Sequence, residues 1–149
     1  MGVREILDAR IIDLNVKANS KDEALRHLSG LLEKAGYIGD VDEFVSDIYA
    51  RESEGITGIG QHIAIPHGKS HSVTNVGIAI GKLDNHIEWE SIDEEPVNII
   101  FLFAVPFDFD YARNHMKLLA ELAGKLGRSD TVENLQNIKT LEELQSIFD

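Results

Sequence analysis

The sequence contains no cysteine, so neither a disulfide framework nor a thiolate metal site can be built from it, as suits a reducing compartment. Basic residues are scarce: 14 Lys and Arg stand against 26 Asp and Glu, a formal charge of −12. That balance argues against a broad nucleic-acid footprint and against binding to an anionic membrane surface. No apolar run approaches transmembrane length, and the stretch from Met1 to Arg10 alternates charged and apolar residues within a few positions, unlike a signal peptide. Repeats, low-complexity tracts and an internal linker are missing too. With 149 residues, the expectation is one domain, 1–149, soluble and cytoplasmic, large enough to bury a core without staples.

What is present is an alternation of strand and helix signals. Ile11 to Val16 is β-branched and apolar enough for a first strand. Ser20 with Glu23 forms a capping box, and Ala24, Leu25, Leu28, Leu31, Leu32 and Ala35 trace one helical face up to Gly36. Asp40 with Glu43 repeats the start signal for a second amphipathic helix, which ends near Arg51 to Gly55. Ile63 to Ile65 and Val76 to Ile80 read as strands, and Ile87 with Trp89 as a short one. Val97 to Val105 is nearly all apolar, as expected of a central strand buried on both faces. After a loop containing Phe107, Phe109 and Tyr111, Met116 to Leu126 mark a third helix with His115 in its first turn, and Thr140 with Glu143 boxes a last helix, Leu141 to Phe148. The pattern predicts an α/β sandwich of helices around a mixed, mostly parallel sheet.

The stretch Gly58 to Ser70, GIGQHIAIPHGKS, is where chemistry is expected. Pro66 lacks the amide hydrogen needed to continue a ladder, so His67 is predicted at the strand's end, where ligands meet open α/β sheets. A neutral imidazole is one of the few side chains that attacks phosphorus near neutral pH and leaves again readily. Donors to the phosphoryl oxygens are sought in Arg51, the Thr57 hydroxyl, the amides around Gly58, Gly60 and Gly68, and Lys69. His115 is a candidate second imidazole, with helix-terminal amides beside it. His62, His67 and His71 raise a metal site, but Pro66 and Gly68 disfavour the helix that would align the last two, and no carboxylate completes a zinc motif; no metal is expected. A Walker loop would need glycine at position 63, which is Ile63. The aromatic segment Phe107, Phe109, Tyr111 and Met116 is read as core, with partner contact as the alternative.

The segments RESEGITGIG, IAIPHGKS, WESIDEEPVNIIFLFAVP and HMKLLAELAGKL, with the earlier KDEALRHLSGLLEKAG, together resemble the enzyme IIA domain of the fructose and mannitol class in the bacterial phosphoenolpyruvate-dependent sugar phosphotransferase system. The resemblance spans nearly the whole chain. It implies a five-stranded sheet and a phosphotransferase without a cofactor. It implies that His67 takes a phosphoryl group from the histidine-containing phosphocarrier protein and passes it to a cysteine of a sugar-specific enzyme IIB, and that Arg51 and His115 line the pocket. The nitrogen-related paralogue of the family implies the alternative, a regulatory module whose phosphorylation changes protein binding. One departure stands out: His62 occupies a position where the family commonly has a small residue.

Overall fold

The computed structural model describes residues 3–107 and 109–148, and for 109–116 and 119 the backbone alone. The order is α1 (Val3–Ile6), a 3-10 turn (Ala9–Ile11), β1 (Ile12–Val16), α2 (Lys21–Lys34), α3 (Val41–Glu52), β2 (Gly58–Gly60), β3 (Ile63–Ala64), β4 (His67–Ser70), β5 (Gly77–Ile87), β6 (Val97–Pro106), α4 (Phe109–Leu126), α5 (Ser129–Asn137) and α6 (Leu141–Ile147). The sheet runs β1-β5-β6-β3-β2, with β4 also on β6. β1 pairs parallel to β5, and β3 and β4 parallel to β6, whereas β5–β6 and β2–β3 are antiparallel.

The strands number six rather than five, and the difference has one cause. Ile63 stands opposite Ile99 and His67 opposite Phe103, the same offset in both, so β3 and β4 are two halves of one strand. The Ile99 amide donates to the His62 carbonyl and the Phe103 amide to the Pro66 carbonyl. In that alternation the amide due next from this strand belongs to residue 66, and proline has none. Pro66 therefore interrupts the strand without ending it, and His67 starts the second half.

Both faces of β6 are covered, as its apolar run requires: every residue from Val97 to Val105 is buried. On one face α2 and α3 bring Leu25, Leu28, Phe44 and Ile48 against Ala79, Ile100, Leu102 and Ala104. On the other, Leu118, Leu122, Leu135 and Leu144 cover Ile78, Ile80, Ile99, Phe101 and Phe103. The three predicted caps are made: Ser20, Asp40 and Thr140 accept from the amides of Glu23, Glu43 and Glu143.

Two elements extend beyond their sequence signals. β5 continues to Ile87 and absorbs the expected Ile87–Trp89 strand, because its polar half finds partners: the Lys82 ammonium donates to the carbonyls of Gln136 (2.7 Å) and Ile138 (2.8 Å), and Asn85 to that of Ala18. α4 begins at Phe109, so Phe109 and Tyr111 are helical rather than in a loop. No helix among the described residues is long and apolar enough to cross a membrane.

Candidate functional site

His67 is half-buried at the start of β4, its ring stacked on Phe103 of β6 with centroids 5.6 Å apart and planes 20° from parallel. Nδ1 is buried without a hydrogen-bond partner, which leaves Nε2 as the nitrogen open to solvent. Burial first, and the charge of Arg51 second, push the imidazole down from 6.5 to about 4. The ring is therefore neutral at pH 7, as a nucleophile must be.

That shift has a testable sign. Between about pH 6.5 and 4 the unfolded chain binds a proton at residue 67 that the folded chain refuses, so stability falls as pH falls through this window and no further below it. Urea unfolding at pH 7.5 and 4.5 is expected to show wild type losing about 2 kcal/mol more than His67→Gln on acidification. Equal losses would mean that the imidazole is not held neutral.

Arg51 lies in the last turn of α3 and donates from Nη1 to the Gly55 carbonyl at 3.3 Å, a single neutral partner that leaves most of its donors for an anion. Lys69 sits two residues beyond His67, so alternation puts it on the same side of β4. It is exposed, its ammonium 5.5 Å from the centre of the Phe107 ring. Two residues of strand span about 7 Å, within reach of a lysine stem. His71, next on that side, stacks on exposed Phe107 with centroids 4.2 Å apart.

Expectations at five residues need correction. The Thr57 hydroxyl donates to Glu52 Oε2 at 2.7 Å and accepts from the Trp89 indole at 3.3 Å, so its one proton is already spent. The Gly58 amide donates to the Glu90 carbonyl (3.2 Å) and the Gly60 amide to Ser91 Oγ (3.1 Å), so neither is free to cradle an anion. Gly58 is glycine for closeness: a Cβ there would stand 2.6 Å from the Glu90 carbonyl oxygen. Gly68 lies in the ladder beside Ala104, and a Cβ on it would enter the Phe44 ring. His115 is the seventh residue of α4, about 9 Å along the axis from the helix start, so first-turn amides do not accompany it. Its side chain lies outside the described residues.

His62 does not reach His67. It stands five residues up the strand, roughly 16 Å of extended chain, at positive φ, with Nδ1 2.8 Å from the Pro96 carbonyl oxygen and its ring edge-on to His86. His62 precedes β3, His67 opens β4 and His71 follows it, and among the described residues no three His, Asp or Glu gather as metal ligands.

Sequence reasoning missed one set of residues beside the site. Glu52, next to Arg51, pairs with Lys21 of α2 at 2.7 Å as well as holding Thr57. The signal was available: Lys21 opens a helix and Glu52 closes one, each the charge sign that its helix end disfavours.

Residues 5–149 match the EIIA 2 family of the phosphoenolpyruvate-dependent sugar phosphotransferase system. The chain is 33% identical over 137 residues to the 2-O-alpha-mannosyl-D-glycerate-specific EIIABC component of Escherichia coli, covering 91% of this chain and 21% of that protein, about a fifth of its length. The nitrogen regulatory protein IIA-Ntr of Neisseria meningitidis superposes with a TM-score of 0.87 at 30% identity, over 97% of each chain. Enzyme IIAMTL of Escherichia coli, solved in complex with phosphorylated enzyme IIBMTL, shares the fold with a TM-score of 0.77 at 23% identity, over 95% of each chain. A single imidazole on a half-strand, an arginine at a helix end and a match from residue 5 to the last residue converge: the chain belongs to the EIIA 2 family of the sugar phosphotransferase system.

Proposed function

We propose that the chain carries a phosphoryl group on Nε2 of His67, taken from the phosphohistidine of the histidine-containing phosphocarrier protein and passed to a cysteine of an enzyme IIB. The observation that carries this reading is the state of the ring: neutral, pressed on Phe103, Nδ1 sealed and Nε2 open. The Nε2 lone pair attacks phosphorus, and the donor's N–P bond breaks with its electron pair returning to the donor imidazole. In the second half the acceptor thiolate attacks, and the pair of the new N–P bond returns to Nε2. Arg51 meets the charge on the phosphoryl oxygens, Lys69 swings to them from Phe107, and His115 of α4 supplies a further donor.

The test uses phosphoenolpyruvate, enzyme I and the phosphocarrier protein, followed by a panel of enzyme IIB domains. A phosphoryl group should appear on this chain and then on the cysteine of a cognate IIB. Arg51→Ala should slow uptake by roughly 10² or more, the loss expected when one charge-stabilising donor goes. Unchanged uptake in that variant would remove Arg51 from the site.

The second reading is regulatory, and the likeness to IIA-Ntr favours it specifically. There the same phosphohistidine changes affinity for another protein, and no sugar is delivered. Phosphorylation that no IIB accepts decides for regulation; acceptance by one decides for transport.

A further inference from the structure

The turn between β2 and β3 is made of residues that its backbone does not favour. Gly60 and Ile63 pair across it, so Gln61 and His62 form a two-residue loop, and both have positive φ, 55° and 70°. Hairpin loops of that conformation select asparagine and glycine, because a bulkier side chain is strained there. Such strain persists where the surroundings fix the residue for another purpose. Two contacts fix His62. Its Nδ1 lies 2.8 Å from the Pro96 carbonyl oxygen, and a carbonyl only accepts, so Nδ1 carries the proton and donates it. In the neutral ring Nε2 is then the nitrogen with the lone pair. The second contact is His86, whose ring centre is 4.6 Å away with the planes at 74°. Register explains the meeting: Ile63 stands opposite Ile99 and Ile87 opposite Val97, so His62 and His86 reach the start of β6 from its two sides.

We propose that His62 and His86 bind a divalent ion of the zinc, nickel and copper group, through Nε2 of His62 and a ring nitrogen of His86, with water in the remaining positions. The bond to Pro96 is the kind that metal-ligating histidines make: the second ring N–H on a backbone carbonyl, which sets the tautomer and aims the ring. Spacing agrees as well. Two imidazoles on one tetrahedral ion, with metal–nitrogen bonds of about 2.0–2.1 Å, have ring centres about 5 Å apart. His86 is exposed, so its ring is free to turn to the ion while the backbone stays in place. Imidazole ligands select this group of metals over magnesium and calcium, which prefer oxygen, and a chain of formal charge −12 draws cations. The site lies apart from His67, and the proposal does not rest on the carrier reading.

The experiment titrates the full chain with Zn²⁺, followed by calorimetry and by long-range proton–nitrogen NMR of the imidazoles. One ion is expected to bind ahead of any other, moving the ring-nitrogen signals of His62 and His86. Excess Mg²⁺ should not displace it. His62→Gly suits the turn and His86→Asn changes an exposed side chain, so both should fold; each should weaken zinc binding by at least about tenfold, the least that loss of a supporting partner costs. His27→Ala and His71→Ala should bind as wild type does. Zinc should also raise the urea midpoint of wild type and leave those of His62→Gly and His86→Asn where they are, since a ligand stabilises only the fold that holds it. Equal affinity in wild type and both variants would mean an adventitious ion only and overturns the proposal. So do ring signals of His62 and His86 that stay put as zinc is added. No arm uses phosphoryl transfer, so failure here and failure of the carrier reading are told apart.

Discussion

His67→Ala is expected to abolish formation of an acid-labile phosphoryl adduct with phosphoenolpyruvate, enzyme I and the phosphocarrier protein. The loss should be at least about 10⁴-fold, the scale on which removing a nucleophile acts. The reason lies in how differently the other described histidines are held. His62 is oriented by the Pro96 carbonyl, His71 lies flat on an exposed ring, and His27 pairs with Asp13 at 2.8 Å. Among the described histidines, only His67 has a ring nitrogen buried without a hydrogen-bond partner. His71→Ala and His62→Ala should therefore accept the group at rates close to wild type. Labelling that persists in His67→Ala would place the acceptor elsewhere and remove the reading of β4 as the reactive half-strand.

The second large effect is expected from one methyl group beside that histidine. In Gly68→Ala the new Cβ would stand 2.3 and 2.4 Å from Cε1 and Cζ of Phe44. Phe44 is fully buried between α3 and the sheet, so the ring has nowhere to go and β4 must shift. Overpacking of this kind costs about 2–3 kcal/mol, and because His67 precedes the strained residue, phosphoryl uptake should fall as well. Chemical denaturation of Gly68→Ala, Phe44→Leu and the double variant separates the causes. Phe44→Leu loses some packing alone, yet in the Gly68→Ala background it should recover part of the loss, a coupling that only contacting residues show. A Gly68→Ala chain as stable as wild type, or strictly additive losses, would refute the close approach.

How far the sequence discloses this molecule depends on the range of the interaction concerned. Helix starts were legible because the cap is a four-residue affair: Ser20 and Glu23, Asp40 and Glu43, Thr140 and Glu143 carry their own signal. α5 escaped notice because its N-cap is Arg128, which makes no side-chain cap bond. The buried run of β6 was plain, whereas the outer half of β5 was hidden, since Lys82 and Asn85 look like loop residues until the carbonyls that satisfy them are in place. At the candidate site, His67 and Arg51 were singled out from local pattern. The roles of the glycines were not, for a sequence shows that a residue lacks a side chain without showing what approaches it. Gly58 makes room for Ser91 and Gly68 for Phe44, neighbours 33 and 24 positions away in the chain. Aromatic Phe109 and Tyr111 masked the first turns of α4, and so moved His115 from the body of the helix to its start.

On the proposed carrier reading, the sealed Nδ1 described above would bear on the outward journey of phosphorus as much as on its arrival. An imidazole denied an acceptor for its second nitrogen, and discouraged from protonation by its surroundings, is a feeble base. Feeble bases make ready leaving groups. The same dry seat that keeps the resting ring uncharged would therefore give the proposed N–P bond a high tendency to break, so that an acceptor thiolate would displace a group already inclined to depart.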